Sequence, residues 1–226
     1  NMFTDVTDDV IEISDIEFII GGGTVDYNND GWEDLFLTTT SNQISLLYKN
    51  VNGKFEEVGF PLGIKEKFES TSVSFADVNL DGWADIYVAN YFEDNSSQNC
   101  LPNSLYINNG GKFFEEKGVF YGVNDRGCGL ANTFSDYDND GDMDLFVAND
   151  FGQAFSSNAA YRNNYPEPNY TNVKNELGFN NAILGMGVDG GDYDNDGDMD
   201  YYATNLGQNY FYENLQGQAF QERGKE

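Results

Sequence analysis

The chain has 226 residues, and its 39 Asp and Glu against 11 Lys and Arg give a formal net charge of −28. A charge of this sign excludes nucleic acid and anionic membrane surfaces as partners, because both attract a basic footprint. The chain contains no His, which excludes Ser-His-Asp and Cys-His catalysis. Aromatic residues make up 15% of the chain, and disordered acidic chains are poor in them, so the composition predicts a folded core.

The predicted elements are short β-strands throughout. Phe3-Thr4-Asp5-Val6-Thr7 predicts a strand over residues 1–7, and four similar repeats follow. Their approximate bounds are 8–58, 59–117, 118–175 and 176–226. Each repeat reads strand, acidic loop, strand, turn, strand, turn, strand. No window shows sustained helical periodicity, and no apolar run approaches the roughly 20 residues of a membrane helix. We therefore predict a single all-β region over 1–226, without direct membrane insertion.

The acidic loop is a nine-residue motif, Asp-x-[Asp/Asn]-x-Asp-Gly-x-x-Asp, that occurs four times. Its copies begin at Asp26, Asp77, Asp136 and Asp192, with spacings of 51, 59 and 56 residues. Each copy leads directly into an apolar run such as Leu35-Phe36-Leu37. The spacing matches one four-stranded blade of a β-propeller, so we predict a propeller of four-stranded blades with calcium loops.

The motif has the chemistry of a calcium site. Asp or Asn at positions 1, 3 and 5 directs oxygen ligands to one point, Gly at position 6 permits the sharp turn, position 7 offers its carbonyl and Asp at position 9 closes the site. Hard oxygen ligands of this number and charge suit Ca²⁺. The predicted ligands in the four loops are Asp26, Asn28, Asp30, Trp32 and Asp34; Asp77, Asn79, Asp81, Trp83 and Asp85; Asp136, Asp138, Asp140, Asp142 and Asp144; and Asp192, Asp194, Asp196, Asp198 and Asp200.

Other interpretations of the loops are weaker. An EF-hand needs a bidentate Glu at position 12 and flanking helices, and position 12 here is Leu37, Val88, Val147 or Ala203. Contiguous RTX nonapeptides are excluded because more than forty residues separate the loops. Asp, Asn and Gly also make plain turns, but four copies at the same offset from a strand disfavour that reading. Mg²⁺ is disfavoured by its stricter octahedral geometry.

The loops and their flanks resemble a known family. Asp136-Tyr137-Asp138-Asn139-Asp140-Gly141-Asp142-Met143-Asp144, followed by Leu145-Phe146-Val147-Ala148-Asn149, is similar to FG-GAP/VCBS repeats of the integrin α-chain N-terminal type. Tyr161-Arg162-Asn163-Asn164 and the N-terminal segment are most similar to CRTAC1-like, ASPIC/UnbV-associated proteins. The resemblance implies a calcium-stabilised propeller, usually of about seven blades, in secreted or cell-surface proteins that bind or adhere.

Strand counting addresses whether the ring is complete. Four repeats supply about sixteen strands, four to a blade. The fourth repeat has its own outermost strand around Phe220, so the strand predicted over 1–7 has no blade to complete within this chain. We therefore predict four blades of a larger ring, with 1–7 closing onto a blade outside the chain. The alternative is a closed four-bladed propeller with one spare strand.

Two insertions and two Cys depart from the regular repeat. Insertions lie at 91–103 and between Asn149 and Ala159, and insertions between blade strands share one face of a propeller, which often binds partners. Cys100, in the first insertion, and Cys128 form either one disulfide in an oxidising compartment or two buried thiols.

Three functions are compatible with this sequence. The first is an extracellular or cell-surface scaffold that binds a protein or a glycan, with four structural Ca²⁺, and it is not an enzyme. The second is a carbohydrate-active enzyme, a lyase or a hydrolase, on a propeller scaffold; the carboxylates are already explained as ligands and a cationic cleft is missing. The third is a structural subunit of a larger cell-surface assembly. We favour the first, because a catalytic metal site would be singular and these loops repeat.

Overall fold

The computed structural model describes residues 4–12, 18–40, 43–92 and 99–224. They form four antiparallel sheets of four strands each, which confirms the all-β prediction and the four-stranded units. Blade 1 contains β1 (Ile19–Val25), β2 (Asp34–Thr39), β3 (Leu46–Val51) and β4 (Lys54–Glu57). Blade 2 contains β5 (Ser70–Ala76), β6 (Asp85–Asn90), β7 (Ser104–Asn108) and β8 (Phe114–Glu116). Blade 3 contains β9 (Gly129–Ser135), β10 (Asp144–Asn149), β11 (Ala159–Asn163) and β12 (Tyr170–Asn172). Blade 4 contains β13 (Gly185–Gly191), β14 (Asp200–Asn205), β15 (Tyr210–Asn214) and β16 (Phe220–Glu222).

Four single-turn helices accompany the sheets. They are α1 (Thr7–Val10), α2 (Gly59–Leu62), α3 (Gly118–Tyr121) and α4 (Lys174–Leu177). The last three each follow the outermost strand of a blade and end at a Gly in the left-handed region, which suits a residue without Cβ. None of the helices in the described part of the chain is long and apolar enough to cross a bilayer.

Residues 4–7, the described part of the N-terminal segment, do not form a strand within this chain. Residues 1–3 lie outside the described part of the chain, residues 4–6 are not in a strand, and Thr7 begins α1. The carboxylate of Asp5 accepts bonds from the Thr7 N–H at 3.0 Å and the Thr7 hydroxyl at 2.7 Å, which favours a turn here. Ile11 then makes a single parallel bridge to Phe55 in β4.

Successive blades pack face to face through three apolar clusters. One cluster joins Phe36 and Leu47 of blade 1 to Ile86 and Tyr106 of blade 2, and the same pattern recurs between blades 2 and 3 and between blades 3 and 4. The innermost strands β1, β5, β9 and β13 lie side by side in that order. Among the described strands, β1 and β13 do not pack as these neighbouring pairs do, which favours an open arc over the alternative of a closed four-bladed ring.

Blade 4, at one end of the arc, exposes aromatic side chains whose equivalents in the other blades are buried. The third residue of the second strand is 0% exposed in blades 1 to 3, as Phe36, Tyr87 and Phe146, but 46% exposed in blade 4, as Tyr202. The residue at position 2 of the acidic loop shows the same difference in exposure. Tyr193 in blade 4 is 55% exposed, whereas its equivalents in the other three blades are buried. Blade 4 therefore presents an apolar face that the next blade covers elsewhere in the arc.

A disulfide between Cys100 and Cys128 joins two blades. Cys100 lies before β7 of blade 2, and Cys128 comes directly before β9 of blade 3. The Cys128 carbonyl also accepts the N–H of Asp150 at 3.0 Å, from the insertion that follows β10. Of the two alternatives for these Cys, the structure has the disulfide. Residues 93–98 of the first insertion lie outside the described part of the chain.

Candidate metal centres

All four acidic loops connect the first strand of a blade to the second, so they lie at the same end of their blades. Backbone N–H groups hold the first Asp of each loop in a fixed orientation. In loop 1 the Asp26 carboxylate accepts the N–H of Asp30 at 3.0 Å and the N–H of Gly31 at 2.8 Å. The equivalent bonds in the other three loops measure 2.7–3.1 Å. The side chain at position 5 accepts the N–H of position 7 in every loop.

The last Asp of each loop connects the loop to the third strand. One oxygen of Asp144 accepts the N–H of Tyr137 at 3.1 Å, and the other accepts the N–H of Asn163 at 2.8 Å. Asp34, Asp85 and Asp200 make the same pair of bonds. These carboxylates are almost completely buried, from 0% to 2% exposed. A carboxylate has about four acceptor sites, so each retains lone pairs for a cation.

The structure brings part of each predicted ligand set together. In loop 3 the carboxylate oxygens of Asp136, Asp138 and Asp144 lie within 4.8 Å of one another, and in loop 4 those of Asp192, Asp194 and Asp200 do the same. These close sets do not include Asp140 or Asp196, the predicted ligands at position 5. Loops 1 and 2 have Asn28 and Asn79 in place of the second carboxylate.

Two buried carboxylate oxygens in loop 3 have no hydrogen-bond donor. They are Oδ1 of Asp138 and Oδ1 of Asp142, which lack a partner among the described residues. A buried acceptor without a donor is costly, and a cation would compensate both atoms. In loop 1 the Lys49 ammonium lies 3.1 Å from Asp30, so this carboxylate already has a cationic neighbour. The donor sets of loops 3 and 4 therefore fit Ca²⁺ best, because they offer the most carboxylate oxygens.

Burial shifts the pKa of the central carboxyls upward. Removal from water raises the pKa of Asp85 to about 7, that of Asp144 to about 8 and that of Asp142 to about 6. The same cause raises the pKa of Asp34 and of Asp138. Neighbouring carboxylates raise these values further. A bound divalent cation would reverse both effects, because it favours the ionised form.

Comparison with known proteins identifies the repeat. The sequence matches the FG-GAP-like repeat family over residues 26–88, 77–147 and 136–203. The chain belongs to the FG-GAP-like repeat family. Each match begins at the first residue of one acidic loop and extends into the second strand of the next FG-GAP-like blade.

A solved structure shares the fold. It is a lectin of Agrocybe aegerita, described as recognising non-reducing terminal N-acetylglucosamine specifically. The TM-score is 0.50 at 16% sequence identity, and the match covers 88% of this chain. The FG-GAP-like chain spans 50% of the length of that lectin. No curated protein matches.

The structure reveals structural residues that sequence reasoning missed, namely an Asn at or next to the end of each third strand. The Asn108 side chain donates to the carbonyl of Tyr27 in the preceding blade at 2.8 Å and to the carbonyl of Ala84 in its own blade at 3.0 Å. Its oxygen accepts the N–H of Gly111. Asn163 and Asn214 likewise donate to carbonyls of the preceding blade. We call these residues the latch Asn.

The latch Asn connect one acidic loop to the next. Each accepting carbonyl belongs to position 2 of the preceding loop, and each latch N–H bonds the last Asp of its own loop. Through these two bonds, the conformation of one acidic loop stabilises that of the neighbouring loop. The signal was present in the sequence, since an Asn stands two residues after the Tyr of every third strand. In blade 1 the side chain of Asn50 donates to its own loop at Glu33.

The residue at position 4 of the acidic loop has a left-handed backbone conformation. In one loop this residue is of a type that disfavours that conformation. The residue has φ between 52° and 63° in all four loops, and it is Asn in three of them. In loop 2 it is Leu80, which is exposed. Asn tolerates this region better than Leu does.

Replacement of Leu80 should therefore stabilise the protein. We expect Leu80→Asn to increase the free energy of unfolding by roughly 0.5–1 kcal/mol, measured by urea denaturation in calcium. Leu215→Asn is the matched control, since Leu215 is an exposed Leu outside the left-handed region. An equal effect of both substitutions would show that solubility, not backbone conformation, is responsible.

Proposed function

We propose that this chain is a calcium-stabilised β-propeller module that binds a protein or a glycan outside the cell. The observation that carries the proposal is the repetition of one oxygen donor set in four loops, each held by the same backbone bonds. Repetition is what a structural metal produces, because every blade then has the same loop to fix. The metals are structural in this proposal and the module is not an enzyme.

Two further observations support an extracellular location and a binding role. The Cys100–Cys128 disulfide suits an oxidising compartment, and extracellular calcium is high enough to fill sites with dissociation constants near 10⁻³ M. The lectin that shares the fold is described as recognising a sugar. Closer membership in the CRTAC1-like proteins is part of the same proposal.

Calcium stoichiometry tests the metal sites directly. We expect isothermal titration of the metal-stripped chain to show four bound Ca²⁺, one for each motif. Asp192→Ala removes the first ligand of the exposed loop 4 and should reduce the stoichiometry by one. Asp194→Asn should retain the site, because loops 1 and 2 carry Asn at that position. Binding that Asp192→Ala leaves unchanged, or that Mg²⁺ equals, would contradict the proposal.

We also propose that the four blades belong to a larger ring of about seven. The exposed Tyr193 and Tyr202 support this, because the same positions in the other blades are covered by the next blade. Asn50 supports the larger ring at the blade 1 end of the arc. Its equivalents in the other three blades all donate to a carbonyl of the preceding blade, so Asn50 is placed to do the same with a blade before blade 1.

Radical footprinting of the full-length gene product tests the ring. If a further blade follows, the oxidation rate of Tyr202 should approach that of the buried Tyr87 within the same molecule. The isolated 226-residue chain supplies the control, in which Tyr202 should be oxidised much faster than Tyr87. Equal and rapid oxidation of Tyr202 in both proteins would contradict a covering blade.

A further inference from the structure

A cavity of about 440 Å³ lies between blades 3 and 4, at the end of the blades opposite the calcium loops. Its walls are the insertion after β10, with Phe151 and Gln153, and the turn after β14, with Leu206. Ile183, from the segment between α4 and β13, also lines it. This volume lies within the roughly 300–1,000 Å³ of small-molecule pockets.

The lining of this cavity is neutral and mixed. Phe151 and Tyr210 contribute aromatic rings, and Gln153 and Asn205 contribute amides. None of the described residues that line it carries a charge, although the chain as a whole has a net charge of −28. An anionic ligand would meet an unfavourable overall field, and a cationic ligand would find no carboxylate in the cavity. The chemistry therefore selects a neutral ligand with both apolar and hydrogen-bonding surfaces.

The walls are held in place before any ligand binds. The N–H of Gly152 donates to the Ile183 carbonyl at 2.8 Å, and a Cβ on Gly152 would lie 2.8 Å from that backbone, so only Gly permits this approach. On the opposite wall the Asn205 side chain accepts the N–H of Leu184 at 2.9 Å. A site that is already ordered loses little conformational entropy on binding.

The Phe151 ring is supported from behind by other aromatic residues. Its backbone has φ of 51°, a conformation that is uncommon for a bulky residue and that costs of order 1 kcal/mol or more. The ring packs near Tyr91, Phe92 and Phe155, with centroids 6.0–6.5 Å apart. Tyr91 in turn donates to the Asp150 carboxylate at 2.6 Å. Phe151 is thus fixed at the cavity while 38% of its surface stays exposed.

We propose that this cavity is a subsite for one neutral monosaccharide unit. The apolar C–H face of a pyranose packs on an aromatic ring, here Phe151 or Tyr210, while the sugar hydroxyls bond the amide of Gln153. The inference rests on the proposed function as a binding module and specifies the ligand class and the place. It predicts millimolar affinity for a single unit, because one small pocket buries little surface.

Ligand-observed NMR of the calcium-loaded chain tests the subsite, with neutral methyl hexosides and methyl N-acetylhexosaminides as probes. We expect saturation transfer to at least one probe. Phe151→Ala and Gln153→Ala should each weaken its binding by at least about tenfold. Phe120→Ala and Gln218→Ala are the matched controls, since both side chains are exposed and neither belongs to the described lining of the cavity. The controls should bind as the unaltered chain does.

The outcomes separate the subsite from the broader proposal. Sugar binding that Phe151→Ala and Gln153→Ala leave unchanged would overturn the subsite and retain a glycan-binding module. Failure of every neutral probe, with four Ca²⁺ still bound, would overturn the subsite alone. Failure of calcium binding would overturn the proposed function itself. Circular dichroism and melting of each variant confirm that it is folded.

Discussion

Removal of calcium is expected to lower the melting temperature of this chain by more than about 10 °C. A ligand present at 100 times its dissociation constant stabilises a folded protein by about 2.7 kcal/mol for each independent site, and 1 kcal/mol shifts the melting temperature of a chain this size by about 2–4 °C. Four sites at this saturation therefore permit a shift well above 10 °C. The loops also cluster carboxylates that repel one another without a cation, as in Asp136, Asp138 and Asp144.

Differential scanning calorimetry of the dialysed chain, with and without added Ca²⁺, measures the shift. Return of the original melting temperature on adding Ca²⁺, but not on adding Mg²⁺ at the same concentration, is the expected control. Asp192→Ala should retain most of the shift, because three loops are unaltered. An unchanged melting temperature after metal removal would show that the loops are ordinary turns.

The pH dependence of this shift follows from the raised pKa values. Without a cation, the folded chain holds protons on Asp144 up to about pH 8 and on Asp85 up to about pH 7, whereas an unfolded Asp releases its proton near pH 4. The folded state then binds more protons than the unfolded state, so the stability of the metal-free chain falls as pH rises from about 4 to about 8. Bound calcium would displace these protons, so the calcium-loaded chain would not lose this stability as pH rises. The melting shift caused by calcium should accordingly be larger at about pH 8 than at about pH 5.5.

The acidic loops and the strands could be predicted from the sequence because their signals are local. In loop 3, nine consecutive residues contain the predicted ligands and the Gly turn, and the last of them, Asp144, begins β10. The four repeats then reinforce one another, since the same offsets recur from Asp26 to Asp200. The prediction of four-stranded units follows directly from this periodicity.

The contacts between blades could not be predicted, because their partners are distant in sequence. The latch bonds join residues 81, 85 and 77 positions apart. From the sequence alone, each of these Asn is already explained as a turn residue after a strand. That explanation does not indicate the bond of each Asn to the preceding blade. The cavity at Phe151 has the same difficulty, since its walls come from one insertion, one turn and a connecting segment of neighbouring blades.

The strand predicted over residues 1–7 stays a prediction, since residues 1–3 lie outside the described part of the chain and residues 4–7 form no strand within it. The alternation of Phe3, Asp5 and Thr7 resembles an outer strand, but a strand needs a partner with free backbone groups. In the described part of this segment, the Asp5 side chain instead satisfies the Thr7 N–H, and a helical turn begins there. Local side-chain bonds of this kind compete with strand pairing, and the alternation of residues does not reveal them.

The latch Asn should contribute more stability than any loop residue outside the metal sites. We expect Asn108→Ala to lower the free energy of unfolding by about 2–4 kcal/mol in saturating calcium, measured by urea denaturation. The substitution removes bonds to the carbonyls of Tyr27 and Ala84 and to the N–H of Gly111. Asn108 is 1% exposed, so water does not replace these bonds without opening the interface between the blades.

Asn50→Ala separates the bond between blades from the bonds within a blade. Asn50 makes the same contacts inside blade 1, to the Glu33 carbonyl and the Gly53 N–H, but it is partly exposed and bonds no preceding blade within the described structure. We expect this substitution to cost about 1 kcal/mol or less. Equal costs for Asn50→Ala and Asn108→Ala would show that the bond to Tyr27 contributes nothing. A larger cost for Asn108→Ala, together with weaker calcium binding to loop 1, would show that the latch carries metal-induced order from one blade to the next.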